Sequence, residues 1–264
     1  DKVLCSYRSH GHFIAKGGDI NKLMIELHLK KDGISQGRGG SMHVSDTSIG
    51  FMGSYVIVGS YVPIAVGTAL SLRLMKKSAV TVVFFGDGGL DEGVVYEAFN
   101  FAALKKLPIV FICENNGFAS LSKDSERQAN LNHNKKAESF GVPASQVDGQ
   151  NVLDVYKCFK KAYIRAKEGK GPTFINAPTF RFKAHIGVGD DIGPGLRTKS
   201  ELEAQKRKDP ILIFRSYLSR KKLINNEDEK IALAKIKRSI NASVVLAKRA
   251  PLPKSNDLLT GIFA

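Results

Sequence analysis

The sequence predicts an α/β fold with a mostly parallel central sheet, flanked by helices and followed by further helices at the C-terminal end. Three observations support this prediction. Two short apolar runs, residues 80–85 and 109–113, have the length and composition of strands that are buried on both faces. The segment between them carries apolar residues at helical spacing. A helix that joins two neighbouring strands is a βαβ crossover, which requires a parallel sheet.

Composition limits the class of protein. The chain has 264 residues, 43% of them hydrophobic, which suits one large α/β domain with appended helices. No apolar run approaches the roughly 18 to 20 residues of a membrane span, and no cleavable signal is visible. Cys5, Cys113 and Cys158 form no C-x-x-C pair. We therefore expect these cysteines to be buried free thiols. We also expect the protein to lie in the reducing cytoplasm, or in the mitochondrial matrix if the source is eukaryotic.

The net charge of +15 is unevenly placed. Residues 151–264 hold 24 Lys or Arg against 11 Asp or Glu. A basic half of this kind can meet nucleic acid or an acidic protein. Its Lys residues are scattered over amphipathic helices and are not interleaved with aromatic side chains. A solvated helical surface is therefore the preferred interpretation, and nucleic-acid binding is the alternative.

The segments before the central unit can be assigned in order. Asp19 begins a helix, Pro63 is typical of a first helical position, and the Gly-rich stretch between them indicates a loop. The prediction is a strand over residues 3–8, a helix over 19–30, a loop over 35–46, a turn from 51 and a helix over 63–77.

Polar residues follow both strands of the central unit. Gly86 and Gly88 allow backbone to approach a ligand, and Asp87 between them offers one carboxylate. Asn115 and Asn116 follow the second strand. The carboxyl ends of parallel strands meet at one edge of a sheet, where a phosphate and its Mg²⁺ can bind.

The remaining chain continues the alternation and then becomes helical. We assign the domains as residues 1–215, the ligand-binding part, and 216–264, a C-terminal helical extension whose apolar stripe packs on the domain or a partner. Asp148 is interpreted as a turn former or helix cap. The predicted elements are a loop with a short helix over 121–138, a strand near 140–146, a helix over 152–167, a strand over 171–177, and helices over 210–222 and 226–249.

These motifs together resemble a known family. The thiamine-diphosphate signature is a GDG motif followed, after a spacer of about 25 residues, by two Asn residues. This chain matches it with GDG at 86–88, a spacer of 26 residues, and then Asn115 and Asn116. SYRSHGHF at 6–13, GRGGSMH at 37–43 and FRFKAH at 180–185 resemble segments of the alpha subunits of 2-oxoacid dehydrogenases of the pyruvate, branched-chain and acetoin types. The resemblance covers roughly residues 3 to 215. It implies the thiamine-diphosphate-binding fold and a dehydrogenase that decarboxylates a pyruvate-like 2-oxoacid and passes the acyl unit to a lipoyl-type acceptor.

The resemblance also implies roles for individual residues. Mg²⁺ would be held by Asp87, Asn116 and the main-chain carbonyl of Phe118. His185 would be the active-site His, and Arg38 to His43 would form scaffolding at the rim of the site. The cofactor-binding set would be Tyr7, Arg8, Val56, Val58, Gly86, Asp87, Gly88, Gly89, Asn116, Arg181 and His185, with Arg8 and Arg181 at the diphosphate.

The sequence departs from the family pattern in one loop. Ala184 and Ile186 replace the usual Gly and Ser, and residues 187–197 replace a loop that carries a phosphorylation site in mammalian relatives. In many relatives a further catalytic His precedes SYRSHG. We expect either that a longer protein supplies this His or that the protein functions without it.

The resemblance implies partners as well. In the family a Glu of a separate beta subunit activates the cofactor, and no motif here resembles that half. We expect an α2β2 heterotetramer, a lipoyl-bearing acyltransferase as a further partner, and an isolated chain without activity. Two enzyme-related alternatives remain open: a subunit of a split transketolase-like enzyme, and a catalytically silent cofactor-binding subunit.

Overall fold

The computed structural model describes residues 1–193 and 195–260. Pro194, within the divergent loop, and residues 261–264 of the predicted C-terminal extension lie outside the described residues. The elements of the first half are β1 (Lys2–Ser6), α1 (His10–Ala15), α2 (Ile20–Leu27), β2 (Phe51–Tyr55), α3 (Tyr61–Leu74), β3 (Thr81–Gly86), α4 (Gly93–Leu104), β4 (Ile109–Asn115), β5 (Phe118–Ala119) and β6 (Ser122–Lys123). Those of the second half are α5 (Asp124–Arg127), α6 (His133–Ser139), β7 (Ala144–Gln146), α7 (Val152–Lys167), β8 (Thr173–Pro178), α8 (Lys199–Lys206), α9 (Pro210–Arg220) and α10 (Asn226–Arg249).

The chain divides into two compact units. Unit 1 comprises residues 1–4 and 57–223, and unit 2 comprises residues 5–56 and 224–264. By this division, residues 5–56 group with the C-terminal helix α10. The assignment of residues 1–215 and 216–264 as domains stays a prediction.

Unit 1 contains a parallel sheet, as the sequence predicts. The strands lie in the order β1-β3-β4-β8-β7. Of β1, only the residues up to Leu4 belong to unit 1. The pairs β3–β4, β4–β8 and β7–β8 are all parallel, with Thr81 opposite Ile109 and Gly86 opposite Glu114. Because the strands are parallel, the loops after β3, β4 and β8 meet at one edge.

The core of unit 1 consists of aromatic and aliphatic side chains from the sheet and its flanking helices. Phe99 of α4 is fully buried and meets Phe111 edge-on at 4.8 Å and Phe174 at 5.7 Å between ring centroids. Each such ring removes a large apolar area from water, and edge-to-face pairs add about 1 kcal/mol beyond that burial. This packing fixes β3, β4 and β8, and therefore the edge that carries the polar residues.

Unit 2 is organised by α2 and α10, which pack against each other. The Asp19 carboxylate caps α2 by accepting from the N–H of Asn21 at 2.7 Å. Ser243 and Ala247 are the buried residues of α10. The apolar stripe predicted to pack is largely solvent-exposed within unit 2, with Ile231, Leu233, Ile236 and Ile240 each more than 40% exposed.

The structure departs from the predicted elements at residues 51–55, 10–15 and 199–206. Residues 51–55 form β2, where the sequence predicted a turn, because the β-forming Phe51 and Tyr55 outweigh Gly53. Residues 10–15 form α1, where no helix was expected. Lys199–Lys206 form α8, which begins with a capping box between Thr198 and Glu201.

Two further expectations concern membranes and thiols. No helix among residues 1–193 and 195–260 is long and apolar enough to cross a membrane. No disulfide joins Cys5, Cys113 or Cys158; the first two are buried, and Cys158 is half-buried. Burial raises the pKa of the Cys113 thiol well above its ordinary value, so this group stays protonated and unreactive near neutral pH.

Candidate functional site

The candidate site lies where β3 and β4 end. Asp87 is the first residue of a short 3₁₀ helix, Asp87–Asp91, that begins directly after β3. Asn115 ends β4, and Asn116 follows it. The N–H of Asn116 donates to Asp87 Oδ1 at 3.3 Å, so the two predicted metal ligands are neighbours. The parallel register brings them together, since Gly86, one residue before Asp87, stands opposite Glu114, two residues before Asn116.

Asp87 is fully buried, and a cation lies beside it. Arg127, at the end of α5, donates to Asp87 Oδ2 at 2.7 Å. Burial is the main influence on this carboxyl and raises its pKa above the ordinary value, while the Arg127 guanidinium opposes that shift. The pair explains how the carboxylate is tolerated in the interior, because a buried unpaired charge is strongly unfavourable.

Arg127 joins three carboxylates. Besides Asp87, its guanidinium contacts Asp91 and lies 3.8 Å from Asp124. Asp91 also accepts from the side-chain amide of Gln128. No sequence pattern singles out Arg127, because an Arg in the polar segment 121–138 is indistinguishable from a solvated surface residue.

Two of the glycines in this turn are required by packing inside the chain. A Cβ at Gly88 would lie 2.8 Å from the Cβ of Ala119, and one at Gly89 would lie 3.1 Å from the Phe85 ring. The nearest atom to a Cβ at Gly86 would be 4.0 Å away. Close approach of Gly88 to a ligand is therefore not needed to explain this residue, and cofactor contacts at Gly86, Gly88 and Gly89 stay predictions.

The segment after β4 turns sharply. Asn116 Oδ1 accepts from the N–H of Phe118 at 3.2 Å, and Gly117 has a left-handed φ of 76°. A short hairpin of β5 and β6 follows, which leads into α5 and thus to Arg127. The turn places the Asn116 amide, the Phe118 main chain and the Asp87 carboxylate in one neighbourhood.

His185 is held by two hydrogen bonds. Arg181 NH1 lies 3.3 Å from His185 Nδ1, and Ser120 Oγ lies 3.0 Å from Nε2. A guanidinium can only donate, so Nδ1 accepts and the proton of the neutral ring is on Nε2, directed at the Ser120 hydroxyl. Ser120 itself has a left-handed φ of 52°. The sequence offered no signal for Ser120 as the partner of this His.

Arg181 is used mainly to hold its own loop. Its Nε donates to Asp191 at 3.0 Å and its NH2 donates to Asp191 at 2.8 Å and to the main-chain oxygen of Ser120 at 3.0 Å. With the bond to His185, four of its five N–H groups are directed at the protein. The predicted contact between Arg181 and a diphosphate stays a prediction and requires the remaining N–H or a rearrangement of these bonds.

Arg197 fastens the same loop to the hairpin. Its guanidinium carbon lies 4.2 Å from the Phe118 ring centroid and 4.5 Å from that of Phe180, so it is stacked between two aromatic faces. It also contacts the buried Asp191 and donates to the main-chain oxygen of Asn116 at 2.6 Å. Burial lowers the pKa of Arg197 from its ordinary value. A cavity of about 370 Å³ opens beside it, lined by Phe118 and Phe180 among others.

The remaining predicted residues divide between the units. Val58 is exposed in unit 1, next to Gly59, where a Cβ would lie 2.8 Å from Glu92. Tyr7, Arg8 and Val56 belong to unit 2. There the Arg8 guanidinium lies 5.2 Å from the Tyr7 ring centroid. The cofactor role of these four residues stays a prediction.

The Gly-rich loop of unit 2 is built around a buried carboxylate. Glu26 of α2 is fully buried. Its Oε2 accepts from the N–H groups of Ser35 and Gly37, both at 2.9 Å. Its Oε1 accepts from Gly39 at 2.8 Å and Gly40 at 3.0 Å. Four backbone donors therefore fix this loop to α2, where the sequence indicates only a loop.

The donors of unit 1 suit a hard divalent cation. One carboxylate, one amide and one main-chain carbonyl would present oxygen alone, which is the chemistry that Mg²⁺ prefers, with water and phosphate oxygens completing its shell. The proximity of Asp87 and Asn116 supports this fit. No group of three His, Cys, Asp or Glu side chains arranged for a metal occurs in the part of the chain that the structure describes.

Comparisons with known proteins give a consistent result. The Dehydrogenase E1 component family matches residues 1–256. The alpha subunit of the acetoin:2,6-dichlorophenolindophenol oxidoreductase of Bacillus subtilis (strain 168) is 34% identical over 264 residues, covering all of this chain and 78% of the relative. The pyruvate dehydrogenase E1 component alpha subunit of Porphyra purpurea is 35% identical over 272 residues, with the same two coverages. That of Rickettsia felis is 33% identical over 263 residues and is covered to 80%.

Proposed function

This chain belongs to the dehydrogenase E1 component family, and from that premise we propose that it is the alpha subunit of a thiamine-diphosphate-dependent dehydrogenase. Its substrate would be a pyruvate-like 2-oxoacid, with the acyl unit passed to a lipoyl-type acceptor. One observation carries the assignment of the site: a buried carboxylate, Asp87, lies beside Asn116 at the carboxyl edge of a parallel sheet. Relatives named for acetoin and for pyruvate are 34% and 35% identical to this chain, so identity alone does not separate the two substrates.

The proposed cofactors are thiamine diphosphate and Mg²⁺. Asp87, Asn116 and the Phe118 carbonyl would hold the metal, and the metal together with Arg8 and Arg181 would offset the charge of the diphosphate. When bound, thiamine diphosphate supplies a carbon nucleophile for the substrate carbonyl and an electron sink for decarboxylation. The chain itself provides binding, orientation and proton positions.

His185 is the proposed proton donor of this chain. Its Nδ1 accepts from Arg181, which leaves the ring proton on Nε2. The Ser120 hydroxyl holds that proton in position until a substrate oxygen replaces it as the acceptor. Arg181 and Asp191 fix the ring plane, since both oxygens of the buried Asp191 carboxylate accept from Arg181. Pre-arranged groups of this kind lower the cost of ordering the site at the moment of reaction.

The proposal includes a beta subunit. An alpha subunit of this family supplies one part of an E1 component, and we infer an α2β2 heterotetramer whose beta subunits complete the cofactor sites. A lipoyl-bearing acyltransferase would then receive the acyl unit. On this proposal the chain by itself has no turnover.

Turnover in the presence of a partner tests the function. The chain is co-expressed with a beta-type protein encoded beside it, and reduction of dichlorophenolindophenol is followed with pyruvate, branched-chain 2-oxoacids and acetoin. Activity with one of them, dependent on added thiamine diphosphate, is the expected result, and the preferred substrate identifies the enzyme. His185→Ala should lose turnover and keep cofactor binding. Lack of turnover with every substrate, despite cofactor binding, would favour the catalytically silent subunit.

A further inference from the structure

A second polar region of unit 1 lies at the amino edge of the sheet, away from the edge that carries Asp87. The helices α3, α4 and α7 all end there. They lead into β3, β4 and β8, respectively. In a parallel sheet the helix C-termini and the strand starts share this edge. Basic side chains gather at this point.

The three helix ends have the same closure. At each end, the residue that follows the C-cap donates its N–H three residues back and the next residue donates five residues back. These bonds satisfy the terminal carbonyls, as in a Schellman motif. The residue after the C-cap is Gly169 in α7, with a left-handed φ of 70°. In α3 and α4 it is a lysine, Lys76 with φ 53° and Lys106 with φ 47°.

A cavity of about 280 Å³ lies between these ends. None of the described residues that line it is acidic, and five are cationic. All five are solvent-exposed and can therefore meet a ligand from solution. The lining residues that carry charge are Arg73, Lys76, Lys77, Lys106 and Lys167.

The positive charges exceed what the helix ends require. A helix C-terminus carries a partial charge of about −0.5, so three of them present about −1.5. Five cations outweigh that sum. Lys167 is held at the rim, where its Nζ donates to the main-chain oxygen and the hydroxyl of Ser78, both at 2.6 Å. Four cations then remain around the cavity.

Neighbouring acids do not cancel this charge. Glu168 follows Lys167 and pairs with Lys170 at 2.6 Å. The carboxylate of Asp1 accepts from the N–H of Val80 at 2.9 Å and from the Tyr163 hydroxyl at 3.3 Å. Neither residue lines the cavity. The cavity is therefore lined by an excess of positive charge, which raises the local concentration of anions.

We propose that this cavity binds a small multivalent anion that carries a diphosphate or two phosphate groups. Arg73 provides a planar fork for phosphate oxygens, and the lysines provide mobile point charges. The volume holds a diphosphate-sized anion and excludes a larger nucleotide from full burial. The inference concerns the amino edge of the sheet and is independent of the function proposed for the opposite edge.

The lysines in left-handed conformation allow a clean test. Gly adopts a positive φ without strain, so Lys76→Gly with Lys106→Gly removes two cations without disturbing the helix ends. Lys222 is a matched control, because it follows the C-cap of α9 with φ 55° and closes that helix with the same bonds, yet does not line the cavity. The melting temperatures of both variants should equal or exceed that of the wild type.

The experiment is calorimetric titration of the full chain with inorganic diphosphate at low salt, with chelator present to exclude metal-dependent binding at the other edge. The wild type and Lys222→Gly should bind alike, and the double variant should bind about tenfold more weakly or not at all. Absence of binding to the wild type overturns the proposal. Equal weakening in the double variant and in Lys222→Gly also overturns it, because that result indicates unspecific attraction to a basic protein.

Discussion

Arg127 NH2 lies 2.7 Å from Asp87 Oδ2, so the carboxylate predicted to hold a metal already has an internal cation beside it. Arg127 reaches Asp87 from α5, 40 residues further along the chain, by way of the hairpin that follows Asn116. The same guanidinium joins Asp91 and Asp124. The candidate metal site and the segment 118–127 therefore depend on each other.

Removing that cation should destabilise the fold. In Arg127→Leu the buried Asp87 carboxylate keeps its desolvation cost and loses its counterion. We expect the free energy of unfolding to fall by about 3 kcal/mol, as is typical when one partner of a buried pair is deleted. Urea denaturation followed by circular dichroism measures the change.

A double variant separates the charge from the packing. Asp87→Asn together with Arg127→Leu leaves no buried charge at this pair and should recover part of the loss. The control is Arg220→Leu, which removes an exposed Arg at the end of α9. An Arg127→Leu protein within about 0.5 kcal/mol of the wild type would show that the pair does not stabilise the carboxylate.

Glu26 should determine the order of the Gly-rich loop. In Glu26→Gln the side chain keeps one oxygen, and its NH₂ group must face two backbone donors whichever way the amide is turned. Two of the four hydrogen bonds are then lost and two N–H groups are left unsatisfied, at a cost of about 2 kcal/mol. Hydrogen exchange of residues 35–40 should accelerate at least about tenfold. Unchanged exchange, with Glu97→Gln as the exposed control, would refute this role.

Arg197 should hold the divergent loop closed. Arg197→Lys keeps the charge but loses the fork that reaches Asp191 and Asn116 and the stacking on Phe118 and Phe180. We expect trypsin to cut faster after Arg181 and Lys183. The increase should correspond to a loss of about 1 to 3 kcal/mol in the free energy that holds the loop in place. Because trypsin cleaves after both Lys and Arg, this substitution leaves the number of possible cleavage sites unchanged. If Arg197→Lys is cleaved no faster than the exposed control Arg207→Lys, then Arg197 does not hold the divergent loop in place.

The C-terminal segment of unit 2 should loosen in acid. The Lys31 ammonium, 2.7 Å from Asp257, is the main reason that the pKa of this carboxyl lies below its ordinary value. The ionised Asp257 carboxylate is therefore more stable in the folded protein than in the unfolded chain. This contribution is present above the ordinary pKa of 3.8 and is lost as the pH falls through the lowered value.

Hydrogen exchange of residues 255–260 checks this expectation. Protection factors of the wild type should fall only in acid, whereas Asp257→Asn should show the lower protection already at neutral pH. Equal protection of the two proteins at neutral pH would mean that Lys31 does not hold the segment.

Periodicity and caps explain which elements could be predicted. The helices α7 and α10 have the predicted bounds, because Asn151 and Asn225 cap them and their polar and apolar residues alternate at helical spacing. The central βαβ unit was predicted for the same reason. β2 was missed because Gly53 interrupts a five-residue run whose strand conformation depends on its neighbours in the sheet.

Pairings over long sequence distances explain what could not be predicted. The partner of Asp87 is 40 residues away, and the partner of His185 is Ser120, 65 residues away. Nothing in a local pattern distinguishes Arg127 or Ser120 from solvated loop residues. Asp191 lies in the segment that departs from the family pattern, so motif comparison could not identify it either.

The most direct test of the central claim is calorimetric titration of thiamine diphosphate, with and without Mg²⁺, into the chain co-expressed with its beta-type partner. We expect tight binding that requires Mg²⁺, persists in His185→Ala and is abolished in Asp87→Ala and in Asn116→Ala. Full affinity in Asp87→Ala and Asn116→Ala, or no binding by the wild-type assembly, would contradict it.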